Sequence, residues 1–139
     1  MIQQGQCTIF KQNCLSGLEN FASGTTYTYK IALYTALADL GPSTLAYTSV
    51  GEITGTGYTP TGKDLLNPTL NSSGYTAYVS FDNVTWDPAN FTARGALIYN
   101  GDTGAAVAVL DFGSDKTATG TFTITFPADT SSDAIIRFS

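Results

Sequence analysis

Six of the aspartates are the residues best suited to acid–base or metal chemistry. Two of them could form the carboxylate pair of a glycosidase, and Asp111 with Asp115 could bind calcium together with loop carbonyls. Most lie beside Gly, Ser, Asn, Thr or Pro, where aspartate commonly caps turns. The chain has no histidine, the usual base in nucleophilic catalysis, so we predict no enzyme activity, no catalytic residue, no cofactor and no metal site. The six are Asp82, Asp87, Asp111, Asp115, Asp129 and Asp133.

Two short motifs resemble sites of phosphate or metal chemistry. The segment "GYTPTGKD", residues 57–64, has the glycine and lysine spacing of a P-loop, but Asp64 replaces the magnesium-binding hydroxyl and no helix is predicted after it. The segment "DFG", residues 111–113, also occurs at a metal-binding turn of kinases, yet the chain is too short for a kinase. We interpret the first motif as a coincidence and predict that the second ends a strand at a turn.

The two cysteines, Cys7 and Cys14, lie in or beside the only segment with a helical pattern. Two helical turns would separate them by about 10 Å, which is too far for a disulfide. We therefore predict free, half-buried thiols.

Tyrosine side chains offer a different chemistry, because exposed aromatic rings can stack on sugars. Tyr47, Tyr58 and Tyr75 lie in Gly- and Thr-rich segments and are the candidates for such a surface. The tyrosines in strand-like segments are predicted to be core or interface residues.

The composition favours a β-rich domain of low charge. Charged residues make up 12% of the 139 residues, the formal net charge is −5, and threonine occurs 22 times. Threonine suits half-exposed strands because it is β-branched and carries a hydroxyl. The negative charge argues against nucleic acid as a partner. We expect no membrane partner either, and the N-terminus lacks signal-peptide features, so we expect synthesis in the cytoplasm.

Hydrophobic periodicity predicts one helix followed by strands. Apolar residues recur at helical spacing over residues 9–21, with Gly24 as a stop. Residues 100–104, "NGDTG", predict a hairpin. Residues 41–74 are interpreted as edge strands and exposed loops, with short strand-like pieces around residues 46–53. We predict an all-β, antiparallel β-sandwich, jelly-roll-like, in one domain: an arm with a short helix (1–24) and the sandwich (25–139). The predicted strands are 27–35, 75–86, 91–100, 105–112, 120–127 and 134–139.

Arg94 is a rare cation within the apolar strand "FTARGALIYN", residues 91–100. If this strand is central, the guanidinium at its start can reach a carboxylate or loop carbonyls. We expect a structural role for Arg94, with Asp82, Asp87 or Asp111 as an internal partner, and a contact with a neighbouring protein as the alternative.

Several segments in order resemble those of small virion proteins of tailed bacteriophages. They are "YKIALYT", "GEITGTGYT", "TAYVSFDNVTW", "FTARGALIYN", "AVAVLDFGSDKTATGTFTITFP" and "AIIRFS". The resemblance extends over residues 10–138 and is strongest over 92–127. It implies a capsid cement or decoration protein, a homo-oligomer (dimer or trimer) that is part of the virion and stabilises the shell of major capsid protein from the capsid exterior. The alternative is a tail or head fibre module that binds host-surface glycan through loop tyrosines.

Overall fold

The computed structural model describes residues 1–22, 26–130 and 132–138. Within them lie one helix and eight strands: α1 Thr8–Leu15, β1 Gly5–Gln6, β2 Tyr29–Tyr34, β3 Lys63–Asp64, β4 Thr69–Ser73, β5 Thr76–Ser80, β6 Val84–Asn100, β7 Ala106–Ile124 and β8 Ile136–Phe138.

The strands form two antiparallel sheets. The larger has the order β1-β7-β6-β2-β3 and the smaller has the order β4-β5-β8. Side chains from both sheets and from α1 share one buried apolar cluster, to which Phe10, Leu97 and Ile136 belong. The predicted all-β sandwich with a short N-terminal helix is confirmed.

The longest pairing joins β6 to β7 through the predicted hairpin. The side-chain Oδ1 of Asn100 accepts hydrogen bonds from the amides of Asp102 and Thr103, at 2.9 and 3.3 Å. Gly104 follows with a φ of 81°, which glycine adopts without steric penalty. These local bonds hold the turn that brings the two strands into register, and the hairpin prediction is confirmed.

The prediction that "DFG" ends a strand is wrong. β7 continues through Gly113, where the φ is 84°, and the segments predicted as strands 105–112 and 120–127 belong to this one strand. The partners shift from Ala93 with Lys116 to Gly95 with Asp111, so β7 holds extra residues at this point. A β-bulge accommodates such residues by bending the strand without ending it.

The segment predicted as one strand over residues 75–86 is two strands in the structure. β5 ends at Ser80, β6 begins at Val84, and they belong to different sheets. Apolar residues continue through the connection because Phe81 is buried between them. Periodicity alone could not locate this change of sheet.

Helix α1 ends six residues earlier than predicted, in a Schellman motif. The amide of Leu18 donates to the carbonyl of Asn13 at 2.8 Å, and the amide of Gly17 donates to that of Cys14 at 3.3 Å. Gly17 has the positive φ, 79°, that this C-cap needs. The apolar period continued beyond the cap because Phe21 also packs into the core. The predicted stop at Gly24 lies outside the described residues.

Residues 41–74 supply two edge strands, β3 and β4, but the strand-like pieces expected around residues 46–53 form only isolated bridges, at Ala46 and Glu52. The region is also less exposed than expected. Ile53, Tyr58 and Leu65 of this region are buried. Lys63 and Asp64 of the P-loop-like motif form β3 beside β2, and Lys63 Nζ lies 5.7 Å from the centre of the Trp86 ring. The motif therefore serves sheet packing here.

Gly62→Ala should destabilise the fold far more than Gly104→Ala, although both glycines have a φ above 80°. A Cβ at residue 62 would lie 1.9 Å from the backbone oxygen of Ile31, whereas a Cβ at residue 104 has open space. We expect a loss of about 1 kcal/mol for Gly104→Ala and about 3 kcal/mol or more for Gly62→Ala. Urea unfolding of both variants measures this difference, and equal losses would contradict the close packing of residue 62 on β2.

Candidate functional site

Arg94 lies on β6 at the β7 bulge. Its Nε is 3.2 Å from Asp111 Oδ1, one of the three partners considered from the sequence. The same oxygen accepts the Gly113 amide at 2.9 Å, and the Asp111 amide donates to the side-chain oxygen of Gln4 at 3.1 Å. The ion pair therefore ties the bulge to β6, while the N-terminal arm contacts it from the other side.

The pKa of Asp111 is lowered, first by the Gly113 amide and then by Arg94. Both stabilise the charged carboxylate. This is a structural use of charge, because the carboxylate is held in its ionised form.

The side chain of Glu52 accepts hydrogen bonds from two of the three candidate tyrosines. The hydroxyl of Tyr47 donates to Glu52 Oε1 at 2.5 Å, and the hydroxyl of Tyr58 donates to Oε2. The amide of Thr61 also donates to Oε2, at 2.9 Å. The Tyr58 hydroxyl in turn accepts the Leu33 amide at 3.0 Å, which connects this cluster to β2.

A second layer of tyrosines surrounds this carboxylate. The rings of Tyr47 and Tyr99 stack with centres 5.0 Å apart, and the Tyr99 hydroxyl donates to the carbonyl of Thr61 at 2.5 Å. Tyr34 donates to the carbonyl of Thr48 at 2.6 Å. These bonds fasten the loop between β2 and β3 to the face of the larger sheet.

The interpretation of Tyr58 as an exposed stacking aromatic is wrong. Tyr58 is buried against Trp86 and Phe91, because its hydroxyl finds internal partners that allow the ring to enter the core. Tyr47 is half-buried and stacked on Tyr99. Tyr75 alone of the three candidates is fully exposed, at 101%, in the turn between β4 and β5. The structure therefore does not assemble the predicted surface of three tyrosines.

The other aspartates with side-chain hydrogen bonds serve loops. The carboxylate of Asp82 accepts a hydrogen bond from the side-chain amide of Asn67 at 2.6 Å. The carboxylate of Asp129 accepts one from the side-chain amide of Asn71 at 3.2 Å. Asp133 accepts the hydroxyl of Thr130 at 3.0 Å. Within residues 1–22, 26–130 and 132–138, no three His, Cys, Asp or Glu side chains are grouped so that they could hold a metal ion.

Both cysteines are free thiols, as predicted. Cys7 precedes α1 and is fully buried, in contrast to the half-buried position expected within a helix, while Cys14 is partly buried. Burial raises the pKa of each thiol to about 11, and for Cys14 the charge of Glu19 adds to this effect. Both thiols are therefore protonated at neutral pH, where a thiol is a weak nucleophile.

The distal half of β7, farther from the hairpin turn at residues 100–104, presents a free strand edge. β1 pairs only with Ala108 and Val109, and beyond Gly113 the described part of the chain offers no strand to the outer side of β7. Residues 117–125, "TATGTFTIT", carry no charge. Their threonines at 117, 119, 121 and 123 are exposed on one face, while Ala118 and Ile124 are buried on the other. We call residues 117–124 the β7 edge.

The corresponding edge of β6 is covered by the loop that contains residues 55–58. The amide of Asn90 donates to the carbonyl of Thr56 at 3.0 Å. A Cβ on Gly57 would lie 1.8 Å from the oxygen of Pro88, and a Cβ on Gly55 would lie 2.8 Å from that of Asn90. Glycine lets the loop approach this closely. Only one side of the distal hairpin is therefore open to another strand among the described residues.

Comparisons with protein-family models, with curated proteins and with solved structures found no match to this chain. In the described residues, no helix combines the length and the hydropathy needed to cross a membrane.

Sequence reasoning missed the two carboxylates that organise the loops, Glu52 and Glu19. Glu19 accepts a hydrogen bond from Asn100, which is 81 positions away, and Glu52 accepts from Tyr47 and Tyr58, which lie five and six positions away within an irregular loop. Their flanking residues carry no motif, so a single sequence offers no signal for them. The β7 edge had a signal, the uncharged threonine alternation, but its length was hidden by the bulge at Gly113.

Arg94→Ala should lower the melting temperature of the isolated protein, because it removes the ion pair at the bulge and the packing of the arginine stem. The decrease in melting temperature should be largest at neutral pH. It should shrink as the pH falls below about 4, because Asp111 has a lowered pKa and its stabilising charge disappears on protonation. Thermal unfolding over this pH range measures the change in melting temperature.

Lys116→Ala is the control, because this exposed cation on the neighbouring strand forms no ion pair with the described residues. Unchanged melting with lost assembly would instead place Arg94 at an interface.

The free energy of unfolding should fall as the pH rises above about 10, the ordinary pKa of tyrosine. Burial is the main cause of raised pKa values at Tyr34, Tyr47, Tyr58 and Tyr99, to about 12 for Tyr99. The folded chain therefore holds protons that the unfolded chain loses, so stability falls as the pH rises. The slope approaches about 1.4 kcal/mol per pH unit for a fully buried tyrosine once the pH is well above 10, and it is smaller for the half-exposed Tyr47. Urea unfolding between about pH 9 and pH 11 measures the slope. Tyr58→Phe should reduce it, and a flat profile would contradict the burial of these hydroxyls.

Proposed function

We propose that this chain is a non-enzymatic structural protein of a tailed-bacteriophage virion. It acts as a capsid cement or decoration protein on the capsid exterior, where it binds the major capsid protein and stabilises the shell. The resemblance of residues 10–138 to small phage virion proteins supports this proposal. The β7 edge is the structural observation that carries it.

A free, uncharged strand edge is a site for strand addition from another protein. Soluble proteins commonly protect such edges with charges, proline or a covering loop. Here the loop of residues 55–58 covers β6, but the β7 edge has no such cover in the described chain. Backbone amides and carbonyls on the edge can pair with an extended segment of a capsid subunit, which provides affinity without a large apolar patch.

The proximal half of the hairpin, nearest the turn at residues 100–104, makes this edge rigid enough to bind another strand. Residues Gly95–Asn100 lie between β2 and β7 and are almost completely buried. On the distal half, hydroxyl pairs join the strands, Thr92 with Thr117 at 2.9 Å and Thr85 with Thr123 at 3.1 Å. A preorganised edge loses little conformational entropy when it binds.

The proposed assembly is multivalent. A dimer or trimer of this chain would engage several capsid subunits at once, so that weak individual contacts give a tight array on a symmetric shell. The net charge of −5 argues against a role in binding nucleic acid.

Capsids assembled without this protein should burst at a lower temperature than complete capsids, and added protein should restore the difference. The double variant Thr119→Lys and Thr121→Lys places two charges on the β7 edge and should weaken capsid binding by about tenfold or more. Co-sedimentation with purified capsids and heat-release of packaged DNA measure the two effects.

The matched control is Thr54→Lys with Thr59→Lys. Both threonines are exposed, lie outside the β7 edge and form no side-chain hydrogen bond with the described residues, so the change in net charge is identical. Capsids that withstand heat and osmotic shock equally well without the protein would overturn the proposed function. Equal weakening by the control variant would overturn the role of the edge.

A further inference from the structure

The hairpin turn between β6 and β7 begins with Asn100 and Gly101, the only asparagine–glycine pair in the sequence. Such a pair is the most reactive context for loss of the asparagine side-chain amide, because glycine has no side chain to hinder the approach of its backbone nitrogen. That nitrogen loses its proton to hydroxide and bonds to Cγ of the asparagine. The bond from Cγ to Nδ2 then breaks, and Nδ2 takes a proton from water and leaves as ammonia. Water finally opens the succinimide ring to aspartate or isoaspartate.

Close packing explains why the turn contains this reactive pair. A Cβ on Gly101 would lie 2.7 Å from the backbone oxygen of Thr28, so a larger residue would push the two segments apart. Gly101, Asp102 and Thr103 are exposed, so water and hydroxide can reach the turn. The reagents of the reaction are therefore at hand, and only the geometry of the turn can prevent it.

The fold restrains each group that the reaction uses. The amide of Gly101 donates its proton to the carbonyl of Thr28 at 2.7 Å. The side chain of Asn100 is fully buried, and its Oδ1 accepts the two turn amides described above. Its Nδ2, the group that must leave, donates to Glu19 Oε1 at 2.8 Å. Ring closure therefore requires that the turn first open and that these bonds break.

Glu19 is the restraint on the leaving nitrogen. Its Oε1 also accepts the Tyr29 hydroxyl at 3.2 Å, which fixes the carboxylate against β2 while it holds Asn100. Glu19 itself is half-buried. The contact joins residues 81 positions apart, so it is lost whenever the segment after α1 separates from the hairpin turn.

We propose that Asn100 is a deamidation site that the folded chain keeps unreactive, with Glu19 as the positioning residue, and that its conversion permanently marks chains whose turn has opened. The product has an oxygen in place of Nδ2, so it cannot donate a hydrogen bond to Glu19. Two carboxylates at this distance repel each other unless one takes up a proton. Isoaspartate also adds one carbon to the main chain between β6 and β7. The modified turn therefore closes less well, and opening and modification promote each other.

Incubation of the full-length protein at mildly alkaline pH, with and without urea, tests the protection. Peptide mass mapping follows each asparagine, and released ammonia confirms the reaction. In urea, Asn100 should convert before any other asparagine. In the folded protein its rate should be lower by about 100-fold or more, because only the open population reacts. Equal rates with and without urea, or faster conversion of Asn71 than of Asn100 in urea, would overturn the inference.

Glu19→Ala separates the restraint on the leaving nitrogen from overall stability. It should raise the rate at Asn100 in the folded protein by about tenfold, since one hydrogen bond of the closed turn is lost. Glu19→Gln can still accept that bond and should keep a rate close to that of the unchanged protein. Glu52→Ala is the matched control, because this carboxylate also fastens a loop but its bonds are to other residues. An equal increase in the control, or no increase for Glu19→Ala, would contradict the role of Glu19.

Asn100→Asp reproduces one product of the reaction and should lower the urea midpoint of unfolding. Adding Glu19→Gln to this variant reverses donor and acceptor, because the glutamine amide can donate to the aspartate. The double variant should therefore recover part of the lost midpoint. An unchanged midpoint for Asn100→Asp, or no recovery in the double variant, would show that the modified turn is not opened by the carboxylate pair.

Discussion

The antiparallel pairing of β6 with β7 is the interaction on which the other elements depend. β2 pairs with the proximal half of β6, and β1 pairs with the proximal half of β7. The aromatic cluster of Trp86, Phe91 and the partly buried Phe122 lies on the distal half of the same hairpin. Without this hairpin, neither the N-terminal arm nor the loop of residues 55–58 would have a surface to pack on.

Two half-buried carboxylates, Glu52 and Glu19, hold irregular segments that apolar packing alone does not fix in place. Glu52 joins the long loop after β2 to the sheet through tyrosine hydroxyls, and Glu19 joins the segment after α1 to Asn100 at the hairpin turn. Each provides a directional constraint where the chain has little regular structure. A chain with so few charges thus uses some of them to join its segments, and the exposed faces of its strands carry many threonine hydroxyls.

The elements that could be predicted from the sequence are those whose pattern is local. The hairpin turn at Asn100, the strand β2 and the class of the fold follow from residue types within a short window. The end of α1 at Leu15 and the continuation of β7 through Gly113 could not be predicted, because a positive-φ glycine caps the helix at Gly17 but only bends the strand at Gly113. The position of Tyr58 depended on Glu52, a partner that no spacing rule identifies, and the pairing of Arg94 with Asp111 was one of three options that only the register could separate.

The glycines at 55 and 57 have a consequence for how many molecules can join the larger sheet. They allow a loop to seal β6, and the other outer strands of that sheet, β1 and β3, are two residues long. In the described chain, the larger sheet therefore has only one long edge, the β7 edge, to which another strand can be added. Once the β7 edge is occupied, the described chain offers no second long edge of that sheet to a further strand.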